Sequence, residues 1–264
     1  MRALGLRPRK RLSQSFLEDQ QVAAAIVRAG RLDAQTDVLE VGPGLGVMTQ
    51  LLARRARHVV AVEIDSTLAE TLRSHNIADN VSVVNADILE FDPALCFETP
   101  YTVVANLPYH ITSPALRHLL ATGPPFAARL VVMVQAEVAD RIASAPGDMS
   151  SLAVTLQVEA RIQVVRRVAA EAFYPRPKVD SAVMVLEPIA EPDRLVPRDA
   201  FPDFSKLVQA GFKQPRKTLA NSLADGLDIP RPQALERLHR AGIEPGLRPQ
   251  ALAIPDWVRL FRTN

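Results

Sequence analysis

Asn106-Leu107-Pro108-Tyr109 is the segment of this chain best equipped for chemistry. It follows the apolar run Tyr101-Thr102-Val103-Val104-Ala105, so an amide side chain, a rigid turn and an aromatic ring arrive together where a strand ends. The exocyclic amine of adenine is a poor nucleophile, because its lone pair is spread into the ring. The side-chain oxygen of Asn106 and the backbone carbonyl of Leu107 or Pro108, both accepting from that amine's N–H groups, localise the lone pair on nitrogen. Pro108 fixes φ and keeps the acceptors aimed at one place. Tyr109 offers a face on which a flipped-out base can stack. The string by itself is equally a turn after a strand; its meaning comes from what lies upstream.

Upstream stands Val38-Leu39-Glu40-Val41-Gly42-Pro43-Gly44-Leu45-Gly46, an apolar run feeding three glycines and then a helical pattern from Val47 to about Arg54. This is the strand–loop–helix unit of a doubly wound nucleotide-binding sheet. The spacing is Gly-x-Gly-x-Gly, because Val47 stands where a dinucleotide site has its last glycine. A second apolar strand, His58 to Val62, ends in Glu63. An acidic residue about 20 positions after the first glycine is where a ribose diol is gripped. A third strand, Val81 to Val84, delivers Asn85-Ala86-Asp87-Ile88, with a carboxylate able to accept from an adenine amino group. The fourth delivers Asn106. These strand ends set a glycine loop, Glu63, Asp87 and the Asn106 turn on one carboxyl edge.

The composition is that of a globular chain of 264 residues, 48% hydrophobic, with a single cysteine, Cys96. That length can bury a full core and divide into a larger and a smaller domain. One cysteine excludes an internal disulfide framework and suits a reducing compartment, so a cytoplasmic location is expected. No apolar stretch approaches a membrane span, and no clustered His/Cys spacing suggests a metal, so neither membrane nor metal is expected. The net charge of +2 is too small to establish a nucleic-acid partner. Its distribution says more. Basic residues cluster at Arg2, Arg7, Arg9, Lys10 and Arg11, at Arg161, Arg166 and Arg167, and at Lys206, Lys213, Arg216 and Lys217. Each cluster alone suits a solvated face. Together, on a chain with a base-stacking turn, they read as phosphate contacts along a nucleic-acid backbone, with Arg9, Lys10, Arg11, Lys213, Arg216 and Lys217 as the candidates.

Alternating strand and helix patterns run from about Leu12 to Glu187, including a helix around Gln20–Arg28 and further strands at 130–134, 161–168 and 181–186. The strands number seven in all, which predicts a Rossmann-like α/β sheet. A proline-spaced polar stretch, 188–200, reads as a linker. From 201 to 264 the apolar spacing is helical throughout, as in Phe204/Leu207/Val208 and Leu235/Leu238. The expected organisation is therefore a catalytic domain over 1–187 and a small all-helical domain over 201–264. Between them in sequence, Phe173-Tyr174-Pro175-Arg176-Pro177-Lys178 forms a proline-held loop before the last strand. Phe173 there is either a core ring or the second face of a base sandwich opposite Tyr109.

These strings resemble the ribosomal RNA adenine N6,N6-dimethyltransferases, which are class I methyltransferases using S-adenosylmethionine. The likeness rests on Gln14-Ser15-Phe16-Leu17, Val38 to Gly46, Ala61 to Asp65, Asn85-Ala86-Asp87, Asn106 to Tyr109, Phe173 to Val183, and Gly211 to Thr218. Lys178-Val179-Asp180-Ser181-Ala182-Val183 and the helical tail resemble the small-subunit branch, which dimethylates two adjacent adenosines in a hairpin near the 3′ end of small-subunit rRNA. Members of that branch are also regarded as late ribosome-assembly factors. The resemblance implies a monomer working on a pre-ribosomal small subunit, with Ser15 and Leu17 over the methionine part of the donor. It sets Gly42 and Gly44 at the donor's backbone, Glu63 and Ile64 at its ribose, Asp87 and Ile88 at its adenine, and Asn106 at the reacting end. Leu107, Pro108, Tyr109 and Phe173 complete the target-base site.

Three positions depart from the family's usual pattern. Ser15 stands for Asn, Pro215 for a basic residue, and Asp148-Met149-Ser150-Ser151-Leu152 for a stretch often containing Tyr-Gly. They bear on donor affinity, RNA docking and a helix start, not on reaction type. Two other readings stay open at this point. One is the same chemistry on large-subunit rRNA or DNA; the other is a non-catalytic assembly or transcription factor that keeps the fold.

Overall fold

The computed structural model describes residues 14–263. The basic candidates Arg9, Lys10 and Arg11 lie outside them. Contacts divide the chain into two compact units, one running up to Ala139 and resuming at Ile162–Pro188, the other made of Asp140–Arg161 and the residues from Ile189 onward.

The first unit contains the predicted sheet. Its strands are β2 (Asp37–Val41), β3 (His58–Glu63), β4 (Val81–Asn85), β5 (Tyr101–Asn106), β6 (Ala127–Gln135), β7 (Ala160–Val168) and β9 (Ser181–Pro188), in the order β4-β3-β2-β5-β6-β9-β7. β2, β3, β4, β5 and β6 pair in parallel, and β9 runs antiparallel to β6. Parallel strands covered on both faces are apolar along nearly their whole length. Accordingly Val38, Leu39, Val59, Val60, Val103, Val104 and Leu130 to Val134 are all buried. Helices α1 (Gln20–Ala29), α2 (Val47–Ala53), α3 (Ser66–Ser74) and α4 (Thr112–Ala121) flank the strands. The helix α1 starts at Asp19, whose carboxylate accepts from the Gln21 and Val22 N–H groups. Its Val22, Ala23, Ile26 and Val27 pack into one core with Val38, Leu52, Val104 and Val131. Strand order reverses at β2, which pairs β3 on one side and β5 on the other. Such a switch point opens a crevice at the carboxyl ends of the strands.

Two short strands were not expected. β1 (Phe16–Leu17) pairs antiparallel with β8 (Phe173–Tyr174), with Phe16 opposite Tyr174 and Leu17 opposite Phe173. The Glu18 N–H extends the pairing to the Ala172 carbonyl at 2.8 Å. The N-terminal string and the proline loop are thereby one piece of structure.

The second unit holds α6 (Ser151–Gln157), α7 (Phe201–Gly211), α8 (Leu219–Leu227), α9 (Arg231–Arg240) and α10 (Ile254–Phe261). Its core joins Met149, Ala153, Val154 and Val158 to Phe204, Leu207, Leu223, Leu238 and Trp257. The helical unit therefore includes 140–161, which a partition along the sequence had grouped with the sheet. Its apolar face packs against the tail helices, and that burial decides the grouping. α6 starts at Ser150, whose hydroxyl accepts from the Ala153 N–H at 3.1 Å, within the stretch that departs from the family pattern. The segment 189–200 is packed as well: Val196 is 1% exposed in the same core. Arg194 makes an ion pair with Glu159 at 2.9 Å, both side chains almost fully buried. Burial pushes the Glu159 carboxyl up, against the Arg194 charge that favours its ionised form.

Candidate active site

The glycine loop leaves β2 in a left-handed path. Gly42, Gly44 and Gly46 have φ of +67°, +59° and +79°. At Gly44 an added Cβ would also come within 2.9 Å of the Phe16 ring, so space and conformation both demand glycine there. A buried carboxylate braces the loop: Glu63 Oε2 accepts from the Gly44 N–H at 3.1 Å, and Oε1 from the Asp65 N–H at 3.0 Å. Glu63 is 5% exposed. Burial raises its pKa; the Asp65 and Gly44 N–H groups pull the other way, and the Asp65 charge adds to the rise. Asp65 in turn caps α3 through the Thr67 N–H and accepts from Gln14 Nε2 at 3.1 Å. At the neighbouring strand end, Asn85 donates to the Glu63 and Ile64 carbonyls. Asp87 follows, half-buried, with Oδ1 accepting from the Leu89 N–H at 2.9 Å.

Gly42, Gly44, Glu63 and Asp87 face one open cavity. Of the expected donor and base residues, Ser15, Leu17, Gly42, Gly44, Glu63, Ile64, Asp87, Ile88, Asn106, Leu107, Pro108, Tyr109 and Phe173 all line it. Ile64 is half exposed at 51%, an apolar side chain left open beside a carboxylate. Gln14, Phe16, Met48 and Ile111, not expected at the donor or base site, line the cavity too. Phe16 was findable from the glycine spacing only once its contact with Gly44 was known.

The Asn106 turn is held from several sides. Asn106 is opposite Met133 in the parallel register of β5 and β6. The Leu107 N–H donates to the Met133 carbonyl at 3.1 Å. Asn106 Nδ2 donates to the Ser15 carbonyl at 3.3 Å, so the part Ser15 plays here is a backbone one. Pro108, at φ −56° and ψ 131°, starts a 3₁₀ turn over Tyr109–Ile111, and its carbonyl accepts from the Ile111 N–H at 3.1 Å. Tyr109 is half-buried. Phe173 is 4% exposed and packs in the core with Leu17 and Val168 while contributing to the cavity wall; the neighbouring Tyr174 is 41% exposed.

The basic candidates of the second unit lie between α7 and α8. Lys213, Arg216 and Lys217 are exposed. Lys213 Nζ donates to the Asp225 carbonyl at 2.9 Å and lies 3.2 Å from its carboxylate. Among the described residues no cluster of His, Cys, Asp and Glu is arranged to hold a metal, and no helix is long and apolar enough to cross a membrane.

This arrangement has relatives. A family model described as ribosomal RNA adenine dimethylase matches residues 5–263. A protein of Dehalococcoides mccartyi named ribosomal RNA small subunit methyltransferase A is 42% identical, over 98% of this chain and 89% of its own length. One of the same name from Desulfitobacterium hafniense is 41% identical over 96% of this chain and 91% of its own. Among solved structures, the 23S rRNA methyltransferase ErmE superposes with a TM-score of 0.72 at 32% identity, covering 94% of this chain and 98% of that one. A dimethyladenosine transferase from Plasmodium falciparum gives 0.78 at 23% identity, covering 93% and 95%, a likeness of fold. With its class I methyltransferase sheet, its glycine-loop cavity and a match over almost its whole length, the chain belongs to the ribosomal RNA adenine dimethylase family.

Proposed function

We propose that this protein dimethylates N6 of two adjacent adenosines in the 3′-terminal hairpin of small-subunit ribosomal RNA, acting as a single chain on an assembling small subunit in the cytoplasm. Two relatives at 42% and 41% identity carry the small-subunit name, whereas the large-subunit enzyme ErmE stands at 32%. The observation that carries the reading is the Asn106 turn, with its amide nitrogen turned to the Ser15 carbonyl, lining the same cavity as the left-handed Gly42 and Gly44.

The cavity residues fit S-adenosylmethionine. Glu63 and Asp87 offer carboxylate oxygens to ribose hydroxyls and an adenine amine, Ile64 and Ile88 offer apolar contact to the base, and the loop at Gly42 and Gly44 admits close backbone approach. When bound, S-adenosylmethionine supplies a methyl carbon on a sulfonium sulfur. Leu17, Val41, Met48 and Leu107 make much of the wall apolar, and keeping water from the site disfavours the charged sulfonium relative to the neutral thioether it becomes. The target adenine stacks on the half-buried Tyr109, and Phe173, packed in the core, contributes to the cavity wall. Asn106 Oδ1 and the Leu107 carbonyl accept from its N6 hydrogens and hold the nitrogen's lone pair toward the methyl carbon. The Pro108 carbonyl is the weaker candidate because the Ile111 N–H already donates to it. Each transfer would form an N6–carbon bond as the carbon–sulfur bond breaks and its electron pair stays with sulfur, and the nitrogen would release one proton to water.

The test is Asn106→Ala. Loss of one preorganised polar contact to the reacting group lowers the single-turnover rate about 10²- to 10³-fold. Donor affinity, measured by calorimetry, stays close to that of the unaltered protein. Equal turnover by the variant would remove Asn106 from the chemistry.

A further inference from the structure

Tyr109 is held at the far end of its ring, while backbone hydrogen bonds at Leu107 and Pro108 hold the turn just before it. Its phenol oxygen lies 2.8 Å from Ser181 Oγ. Ser181 is fully buried at the first position of β9, opposite Gln135 of β6. The residue before it is stapled in place: the Asp180 carbonyl accepts from the Ala136 N–H at 2.9 Å, and its Oδ1 from the Ala170 N–H at 3.0 Å. The turn is therefore anchored by two successive strands of the sheet. β6 takes the Leu107 N–H at Met133, and β9 takes the Tyr109 hydroxyl at Ser181.

A buried hydroxyl needs a hydrogen-bond partner, and a backbone carbonyl would serve a purely structural serine. Here the partner is the ring beside Asn106, half-open to the cavity. We propose that Ser181 is a positioning residue for methyl transfer: its hydroxyl tethers the Tyr109 phenol and sets the ring before the target adenosine arrives. This inference rests on the reading of Tyr109 as the face on which that base stacks. A ring without the tether rotates about its side-chain bonds, and an incoming base must order it. That ordering is paid at the moment the base is seated, so it slows transfer while leaving the donor's contacts with Glu63 and Asp87 unchanged.

The experiment compares Ser181→Ala, Tyr109→Phe and the double variant in the full chain, on small-subunit particles lacking dimethyladenosine. Single-turnover rate, donor affinity and thermal midpoint are read for each. Losing one net hydrogen bond predicts that each single variant transfers methyl about five- to tenfold more slowly. Donor affinity stays unchanged. The double variant is no slower than the slower single one, because both changes remove the same bond. Tyr109→Phe deletes the bond from the half-buried side, so a folding defect in Ser181→Ala does not hide the result. Unchanged rates, a lowered thermal midpoint without a lowered rate, or losses that multiply in the double variant would each overturn the tether. If the unaltered protein transfers nothing to the particles, the functional reading falls and the tether's role with it. An active parent with equally active variants removes the tether alone.

Discussion

A primary amide has a donor end and an acceptor end, and at Asn106 the surroundings decide which faces the substrate. The Ser15 carbonyl can only accept, so the atom 3.3 Å from it must be the nitrogen, and the oxygen is left to receive a hydrogen bond. Because the contact is to a backbone carbonyl, the Ser15 that replaces the family's Asn leaves it intact. Glu40, beneath the glycine loop on β2, shows a different residue-scale effect. It is fully buried, and burial pushes its carboxyl from 4.5 to about 8, with the Glu63 charge adding to the rise and Thr49 opposing it. Between those values the folded protein holds a proton that the unfolded chain has released, so stability falls as pH rises through that window. The thermal midpoint of the unaltered protein is thus expected to decline from pH 4.5 toward about 8. Glu40→Gln, which carries no ionisable proton, should decline less over the same range. Parallel curves for the two proteins would show that Glu40 does not titrate there.

At the scale of elements, the glycine loop and the β1–β8 pair line one cavity together. Gly44 is where they meet, and Gly44→Ala introduces both a left-handed alanine and a contact with Phe16. A left-handed non-glycine costs about 1–2 kcal/mol, so the variant should unfold at correspondingly lower denaturant and bind donor more weakly. Donor affinity equal to that of the unaltered protein would mean the loop does not touch the donor. The central strands are legible because burial on both faces makes β2, β3, β5 and β6 nearly continuous apolar runs, interrupted at Glu40 and Thr102. The β1–β8 pair is not, since two residues carry no periodicity and their partners, Phe16 with Tyr174 and Leu17 with Phe173, come from opposite ends of the first unit. The packing of 140–161 with the tail helices was hidden for a related reason. Leu152 to Leu156 are all buried, and only the fold says against what. Ser181 is legible only as part of the Lys178 to Val183 string that resembles the small-subunit branch; that its hydroxyl meets the Tyr109 phenol is visible in the fold alone.

For the whole molecule, a net charge of +2 conceals an uneven distribution, with Lys213, Arg216 and Lys217 exposed together on one loop of the helical unit. Each phosphate contact adds roughly 0.7–0.9 to the slope of log affinity against log salt. Replacing all three by Ala should weaken binding to small-subunit particles and lower that slope by roughly 2–3, with donor affinity untouched. An unchanged slope would make them a solvated surface. Lys213, already bonded to Asp225, contributes only if RNA phosphate draws it away. The central claim, that the Asn106 turn and the glycine-loop cavity serve N6 dimethylation of small-subunit rRNA, has one direct measurement. Labelled S-adenosylmethionine is supplied with small-subunit particles lacking adenosine dimethylation, with large subunits and duplex DNA in parallel. Dimethyladenosine is expected in the small-subunit RNA alone. Label in large-subunit RNA or DNA, or none anywhere while donor binding is intact, would contradict it.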